Sequence, residues 1–288
     1  MVSTAYRAGR VPPGRPPRRR LRTRSVRRRQ QRRWIAGIAV LLVAIGIGVA
    51  VLRPSVLPFT GCTATGGTAT LTSEQAANAA TIAAVGNKLG LPDHAVTIAL
   101  ATAMQESKLR NLDYGDLDSL GLFQQRPSQG WGTASEIQDP VYASTAFYQR
   151  LEKVDSWQTM SVTEAAQTVQ HSGAPDAYAA HETEARALAR ALTGEVSAGL
   201  TCTATSTAAH GATAATITAD AQRVFGTNPF AGAVPPTRGW AAATWAVAHA
   251  DSYRLRAVTF DGQRWTPGSG KWVRDPQATS RIGLELSP

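Results

Sequence analysis

Through residues 71–194, apolar positions recur with the period of an α-helix, and polar start and stop signals divide them into segments. Two segments open with a capping box, a third opens with Asp-Pro, and glycines follow the ends of two. This pattern predicts a mainly α-helical domain. Its helices cover about 72–88, 92–107 and 139–154, and two more begin near residues 161 and 175, the last ending at Gly194.

One long stretch of this domain lacks helical periodicity. It lies between Leu109 and Asp139 and contains three aspartates, several glycines and the sequence Gly-Leu-Phe-Gln-Gln. A loop of this length inside a compact helical domain is usually functional. We therefore expect it to contribute to a functional site.

The C-terminal third has a different pattern. Alanine, threonine, serine and glycine dominate residues 195–215, which predicts a flexible linker. Residues 216–288 predict a small α/β unit with a helix over 239–253, a hairpin around Asp261-Gly262 and a further strand near 282–286. Four of the seven tryptophans of the chain lie in this unit. Either they fill its core, or one or two of them stack on sugar rings or contact a partner.

Residues 34–52 form an uncharged apolar run of 19 residues, which predicts one transmembrane helix that spans about 30 Å of hydrocarbon. The arginines before it keep the N-terminus in the cytoplasm and place the residues after Leu52 outside. We therefore expect a single-pass plasma-membrane protein, in which residues 53–70 link the span to the first extracytoplasmic domain. A cleaved signal peptide is the alternative, although its apolar region would be shorter.

The formal net charge of +10 is concentrated at the N-terminus. Residues 1–33 contain 13 arginines and no lysine or acidic residue, which leaves 17 basic and 20 acidic residues on the rest of the chain. Like charges at this density cannot form a core, so we expect a disordered cytoplasmic tail. Such a tail orients the span and attracts anionic membrane lipids. Nucleic acid is the disfavoured partner, since Tyr6 is the one aromatic residue among the arginines.

The chain has two cysteines, Cys62 and Cys202, and both stand in the sequence Cys-Thr-Ala-Thr within linker-like segments. Disulfides persist outside a bacterial-type membrane. We therefore predict one Cys62–Cys202 bridge that joins the two ends of the helical domain. Two free thiols, or a lipid on Cys62, are the alternatives.

Glu106 ends the second predicted helix on an apolar face. The residues three, seven and ten positions before it are Ala, Ala and Val, which share its side of the helix. Partial burial and the negative end of the helix dipole both favour the protonated form of such a carboxyl group. A carboxylic acid of this kind can donate its proton to the leaving oxygen of a glycosidic bond. A surface glutamate paired with Lys108 or Arg110 is the alternative.

Two short motifs resemble those of the lytic transglycosylases and, more widely, of the goose-type lysozymes. They are Glu-Ser at 106–107 and Ser-Leu-Gly-Leu-Phe-Gln, whose glutamine lies 18 residues after Glu106. The resemblance is good over residues 92–131, extends in general layout to Gly194, and does not cover the tail, the span or residues 195–288. It implies a lysozyme-like helical fold in which Glu106 is the sole catalytic acid/base. It also implies a glycan cleft lined by Ser107, Ser119, Gly121, Leu122, Phe123 and Gln124, with Phe where the family has Met.

The third motif of this family departs from the pattern. In the family it reads Ala-Tyr-Asn, and its tyrosine supports the catalytic glutamate. The corresponding helix here reads EAAQTVQHSG and has no Tyr-Asn. We expect Tyr178, a few residues further on in PDAYAAHE, to take the role of this tyrosine.

The resemblance implies a mechanism that needs one carboxylate. Hydrolysis uses a second carboxylate near the bond, so the loop aspartates Asp113, Asp116 and Asp118 leave a lysozyme-type hydrolase open. We expect no cofactor and no metal, because the five histidines are scattered and none pairs at ligand spacing. A phosphate-binding glycine loop is also absent from the sequence.

The sequence therefore predicts a membrane-anchored peptidoglycan lytic transglycosylase, similar in architecture to membrane-anchored cell-wall proteins of actinobacterial type. One rival is a non-catalytic peptidoglycan-binding or scaffold protein on the same fold, which the altered third motif favours. Another is a structural membrane protein that acts through its arginine tail. Peptidoglycan glycan strands are the expected partner in the first two cases.

Overall fold

The structure is a computed structural model that describes residues 61–173, 176–203 and 212–287. The predicted arginine tail (1–33), the predicted transmembrane helix (34–52) and residues 53–60 of the predicted linker lie outside the described residues. Among the residues that are described, no helix combines the length and the apolarity needed to cross a membrane. The described residues belong to one compact unit, Phe59–Pro288.

α-Helices make up most of the regular structure in the described residues, as the hydrophobic pattern predicted. In chain order they are α1 (Ser73–Lys88), α2 (Asp93–Ser107), α3 (Ala134–Ile137), α4 (Pro140–Leu151), α5 (Val162–Gln170), α6 (Glu182–Leu192), α7 (Ala214–Phe225), α8 (Pro236–Ala248) and α9 (Ala250–Tyr253). Short 3₁₀ helices lie at Pro127–Gln129, Trp157–Thr159 and Ala177–His181.

The start signals in the sequence act as helix caps. Thr72 and Gln75 form a reciprocal capping box at α1, and Ser161 and Glu164 form another at α5. Asp139 caps α4 through its side chain. The helix that was predicted to begin near residue 175 differs from the prediction. The chain first makes the 3₁₀ turn Ala177–His181, and α6 begins only after it.

Helix α2 is the centre of the fold and carries Glu106 near its C-terminal end. Every residue from Ala95 to Ala103 is buried, and α1, α4, α5 and α6 pack around the helix. The alanines in this stretch let these neighbours approach closely. The buried Thr102 donates its hydroxyl to the Ile98 carbonyl at 2.7 Å, so its polar group is satisfied inside the core.

The ends of the helical region are joined by a two-stranded antiparallel sheet, β1 (Gly61–Ala64) and β2 (Leu200–Thr203). Cys62 lies opposite Cys202 in this sheet, and a disulfide joins them, which confirms the predicted bridge. Strand β2 falls within the segment 195–215 that the sequence predicted to be a flexible linker. Strand β2 is ordered because it pairs with β1 and because Leu200 and Cys202 are buried. Composition reveals neither effect.

A second antiparallel sheet contains β3 (Leu255–Phe260), β4 (Gln263–Thr266), β5 (Lys271–Arg274) and β6 (Gly283–Leu286), in the order β5-β4-β3-β6. The predicted hairpin between β3 and β4 is present, and both Asp261 and Gly262 have positive φ angles, as a tight hairpin turn requires. Helix α7 and strand β5 were not predicted from the sequence. The alanine and threonine content at the start of α7 continues that of the preceding segment, which hid the helix.

The C-terminal residues share a core with the N-terminal helices. Helices α7 and α8 pack against α1, and α8 also packs against α6. Three of the four tryptophans in this region are buried: Trp240, Trp245 and Trp265. The indole N–H of Trp265 donates to the Cys202 carbonyl at 3.1 Å, and that of Trp272 donates to the Leu200 carbonyl at 2.9 Å. Two tryptophans thus attach the C-terminal sheet to β2, and the core-filling interpretation applies to the three buried ones.

Candidate active site

Glu106 stands in the last turn of α2, where the helix is stopped abruptly. Lys108 and Leu109 both adopt left-handed backbone angles, with φ of 55° and 60°. The Leu109 N–H donates to the Ala103 carbonyl at 3.0 Å, and the Lys108 N–H donates to the Met104 carbonyl at 3.1 Å. These two bonds close the helix end in the manner of a Schellman motif. The turn that carries Glu106 is therefore a defined endpoint of the helix.

Side chains of helix α1 bind the backbone that follows the end of α2. The side-chain amide of Gln75 donates to the Lys108 carbonyl at 2.8 Å, and that of Asn78 donates to the Leu109 carbonyl at 2.9 Å. Both carbonyls lie beyond the helix and have no intrahelical partner, so the amides satisfy groups that would otherwise be unpaired. The backbone after Glu106 is thereby bound to the neighbouring helix.

The carboxyl group of Glu106 accepts a hydrogen bond from a tyrosine side chain. The hydroxyl of Tyr178 donates a hydrogen bond of 2.7 Å to Oε1 of Glu106. Tyr178 lies in the 3₁₀ turn before α6 and is fully buried. Burial and the Glu106 carboxylate raise the pKa of Tyr178, so the phenol remains a proton donor. This contact joins Glu106, which the family resemblance implies as the acid/base, to Tyr178, which we expected to take the role of the absent motif tyrosine.

Ser107, the second residue of the first motif, does not face the cleft. It is buried, and its hydroxyl lies 2.7 Å from the Leu122 carbonyl and 3.0 Å from the Ala103 carbonyl. The expectation that Ser107 contacts substrate is therefore corrected. Its hydroxyl binds the second motif to the end of α2 and so positions that motif beside Glu106.

Two residues of the second motif are also structural. Leu122 and Phe123 are both fully buried, so neither side chain can contact a glycan as the resemblance implied. The ring of Phe123 stacks on that of Phe147, with 4.7 Å between centroids. The Phe123 carbonyl accepts a hydrogen bond of 2.7 Å from the side chain of Gln170, at the end of α5. The segment is thus held by the core below it and by α5 beside it.

Gly121 meets a steric requirement of the same segment. Its φ is 77°, and a Cβ added there would lie 2.7 Å from the Ile137 carbonyl oxygen. Its N–H donates to the Leu112 carbonyl at 2.7 Å. The glycine lets the chain pass close to α3 in a left-handed conformation, which side chains disfavour. Its role is therefore to shape the loop.

The remaining predicted residues, Ser119 and Gln124, line a cleft of about 540 Å³ together with Glu106. The Gln124 side-chain amide donates to the carbonyls of Tyr114 and Gly121, each at 3.3 Å, which orients it across the loop. The structure therefore brings Glu106, Tyr178, Ser119 and Gln124 together at one place.

Several cleft residues were missed by sequence reasoning: Arg126, Trp131, Arg150, Gln170 and His171. Trp131 closes the stretch that resembles the family, and it was not singled out. Arg150 lies in the last turn of α4, where no local pattern separates it from a solvent-facing arginine. Only the packing of α4 and α5 around the loop brings these side chains to the cleft.

The three loop aspartates separate into different environments. Asp118 accepts from Nε of Arg126 at 2.7 Å and from the Ser128 backbone N–H at 2.8 Å, and these bonds hold the pKa of Asp118 well below its usual range. Asp116 lines the cleft with Glu106, whereas Asp113 is exposed and is not among the lining residues. Asp116 is therefore the one loop aspartate in the described residues that is both on the cleft and outside an ion pair.

No protein-family model matches the chain, and no curated protein matches it either.

Proposed function

We propose that this chain is a membrane-anchored, extracytoplasmic lytic transglycosylase with a lysozyme-like helical domain, which cleaves the glycan strands of peptidoglycan. The hydrogen bond from Tyr178 to Glu106, made at the edge of a polar cleft, is the observation that carries this proposal. It supplies an oriented carboxyl group at a place that a sugar chain can reach. General acid/base catalysis begins from such an arrangement.

Glu106 performs both proton transfers in the proposed reaction. Its carboxyl group donates a proton to the glycosidic oxygen while the bond between that oxygen and C1 of the sugar breaks. The resulting carboxylate then takes the proton of the 6-hydroxyl of the same sugar, whose oxygen bonds to C1. The products are a new 4-hydroxyl end and a 1,6-anhydro end. No water is consumed, and Glu106 returns to its protonated state.

Tyr178 orients the acid for this sequence. Because Oε1 accepts the tyrosine hydrogen bond, Oε2 is the oxygen that carries the transferable proton. The tyrosine also stabilises the carboxylate after the first transfer, since hydrogen bonds to charged groups are stronger than those to neutral groups. A fixed carboxyl orientation matters because proton transfer requires hydrogen-bond distance to the reacting oxygen.

The disulfide supports an extracytoplasmic location. Cys62 and Cys202 are bonded and are both buried in the small sheet that closes the domain. Disulfides are rare in reducing cytoplasm and common outside it. This agrees with a topology in which residues 34–52 span the membrane and the arginine tail contacts anionic lipids inside.

A lysozyme-type hydrolase is the second candidate, because Asp116 lines the same cleft as Glu106. In a hydrolase, a second carboxylate activates water or acts as nucleophile. Asp116→Asn distinguishes the two reactions. A transglycosylase keeps most of its rate in this variant, whereas a hydrolase that uses Asp116 loses nearly all of it.

The proposal is tested by incubating the full-length protein with purified peptidoglycan and measuring the soluble fragments released. Glu106→Gln keeps the shape and the Tyr178 hydrogen bond but cannot donate the proton. We expect it to bind glycan and to lose about 10²- to 10⁴-fold in cleavage rate. Glu182→Gln, at a partly exposed residue in the first turn of α6, is the matched control and should cleave normally. Equal rates for wild type and Glu106→Gln would reject the assignment, and binding without cleavage by either would favour the scaffold alternative.

A further inference from the structure

The guanidinium group of Arg150 is held rigidly in the cleft. The guanidinium carbon of Arg150 lies 3.5 Å from the centroid of the Trp131 ring, as in a cation–π contact. Its Nη2 donates to the carbonyls of Gln129 and Gly130, at 3.1 Å each. The stacking and the two hydrogen bonds together fix the plane of the guanidinium. Trp131 is itself buried, so the platform beneath Arg150 is part of the core.

This cation has no counter-ion in the described part of the chain. No carboxylate lies within ion-pair distance of Arg150, and its Nε and Nη1 have no hydrogen-bond partner there. Arg150 is half-buried, and this partial removal from water lowers the pKa of its guanidinium. A partly desolvated charge of this kind favours an anionic ligand.

Arg126 provides the contrast within the same cleft. It also lines the cleft, but its Nε is paired with Asp118 at 2.7 Å, and its charge is thereby neutralised. The two arginines are therefore not equivalent. Of these two cleft arginines, Arg150 is the one without a paired carboxylate in the described residues.

We propose that Arg150, mounted on Trp131, binds a carboxylate carried by the glycan and thereby selects acid-bearing strands over uncharged ones. The inference rests on the proposed function, since it names the substrate class of the same cleft. The unengaged Nε–H and Nη1–H groups of Arg150 each offer a charge-assisted hydrogen bond to a carboxylate oxygen. Because the plane is already fixed, little conformational freedom is lost on binding.

In a peptidoglycan strand, the carboxylate has two possible sources. One is the lactyl ether on alternate sugars when the peptide is absent, and the other is the stem peptide attached there. Chitin strands of the same backbone carry neither. Three tetrasaccharides of equal length therefore separate the possibilities: uncharged chitotetraose, a strand with free lactyl carboxylates, and a strand with stem peptides.

The test is calorimetric binding of these three probes to the full-length protein in detergent, with Glu106→Gln present in every variant to prevent cleavage. We expect Arg150→Gln to weaken binding of at least one acid-bearing probe by about 10- to 100-fold, the factor associated with losing a hydrogen bond to a charged group. Chitotetraose binding should change by less than about threefold, within the range of a lost neutral contact. The affected probe identifies the source of the carboxylate.

Two comparisons guard against misfolding. Arg190→Gln, whose arginine is exposed on α6 and paired with Glu195, should affect none of the probes. Raising the salt concentration should weaken binding of acid-bearing probes, but not of chitotetraose, to the parent protein with intact Arg150. Because the salt comparison uses protein with intact Arg150, misfolding of the Arg150→Gln variant cannot affect it.

Equal weakening of all three probes by Arg150→Gln, or no weakening, overturns the Arg150 inference and leaves the proposed function in place. Salt-independent binding of the acid-bearing probes overturns it as well. If the parent protein binds none of the probes, the proposed function and this inference both fail.

Discussion

The hydroxyl of Tyr178 donates a 2.7 Å hydrogen bond to Oε1 of Glu106, although the two residues are 72 positions apart in the chain. One ends the central helix α2, and the other lies in the 3₁₀ turn before α6. Helix α6 packs along α2, and this packing brings the turn to the end of the central helix. The contact therefore depends on the tertiary fold rather than on local sequence.

Removing this hydrogen bond should slow cleavage without unfolding the protein. Tyr178→Phe keeps the buried ring and deletes the donor. We expect the turnover rate on peptidoglycan to fall by about 10- to 100-fold, because a hydrogen bond to a charged group contributes about 1.5–3 kcal/mol. Glycan affinity should be unchanged. Tyr114→Phe, at a residue that is 66% exposed, is the control. An unaltered turnover rate in Tyr178→Phe would show that the tyrosine does not support the acid.

Reducing the disulfide should lower stability. Cys62 and Cys202 are separated by 140 residues, so the bridge restricts the unfolded chain strongly. In the chain-entropy model, such a bridge contributes about 3–5 kcal/mol to the free energy of unfolding. Urea denaturation with and without reductant measures this difference. The double variant Cys62→Ser, Cys202→Ser should unfold at the reduced midpoint in both conditions, and recovery of two free thiols from oxidised protein would refute the bridge.

Glu184 should be a stability residue with no part in catalysis. It is buried on α6, and its Oε2 accepts from the backbone N–H groups of Thr68 at 2.7 Å and Ala69 at 3.0 Å. Glu184→Ala leaves both donors unpaired, and we expect a loss of about 2–3 kcal/mol in the free energy of unfolding. Glu182→Ala, two residues away and partly exposed, should change it by less than about 0.5 kcal/mol. Similar losses in both variants would contradict this role for Glu184.

His249 should make stability depend on pH. Burial lowers the pKa of His249 to about 4, whereas the pKa of an unfolded histidine is about 6.5. As the pH falls below about 6.5, the unfolded state takes up a proton that the folded state does not, so stability is lost between about pH 6.5 and 4. The expected loss from pH 7 to 5 is about 2 kcal/mol.

The histidine contribution is isolated by comparing urea denaturation of wild type and His249→Gln at both pH values. Acidic residues and the other four histidines titrate in each protein, but only wild type has the His249 component. The difference between their pH dependences should therefore be about 2 kcal/mol. Parallel pH dependences would show that His249 titrates alike in the folded and unfolded states.

Local signals in the sequence predicted much of the helical fold. Capping boxes, Asp-Pro and the hairpin turn at Asp261-Gly262 depend on neighbouring residues, so they can be read without knowing the fold. The paired strands β1 and β2 could not be read from composition, because their order comes from each other and from the disulfide. Glu106 could be identified from the sequence because it stands at the end of an apolar helix.

The rest of the site depends on tertiary contacts. Ser107, Leu122 and Phe123 stand in the motifs but face the core, and the motif pattern does not distinguish residues that shape a cleft from those that line it. Trp131 and Arg150 are brought together by the packing of the loop against α4. Their contact has no regular spacing in the sequence, so only the structure places them in the cleft.

The chemical nature of the chain ends released from peptidoglycan tests the central claim most directly. Wild-type protein should release fragments that end in 1,6-anhydro sugars, identified by mass spectrometry, because Glu106 would activate the 6-hydroxyl of the sugar itself. Glu106→Gln should release almost none. Reducing ends in place of 1,6-anhydro ends would show hydrolysis, and fragments released equally by both proteins would contradict the assignment of Glu106 as the acid/base.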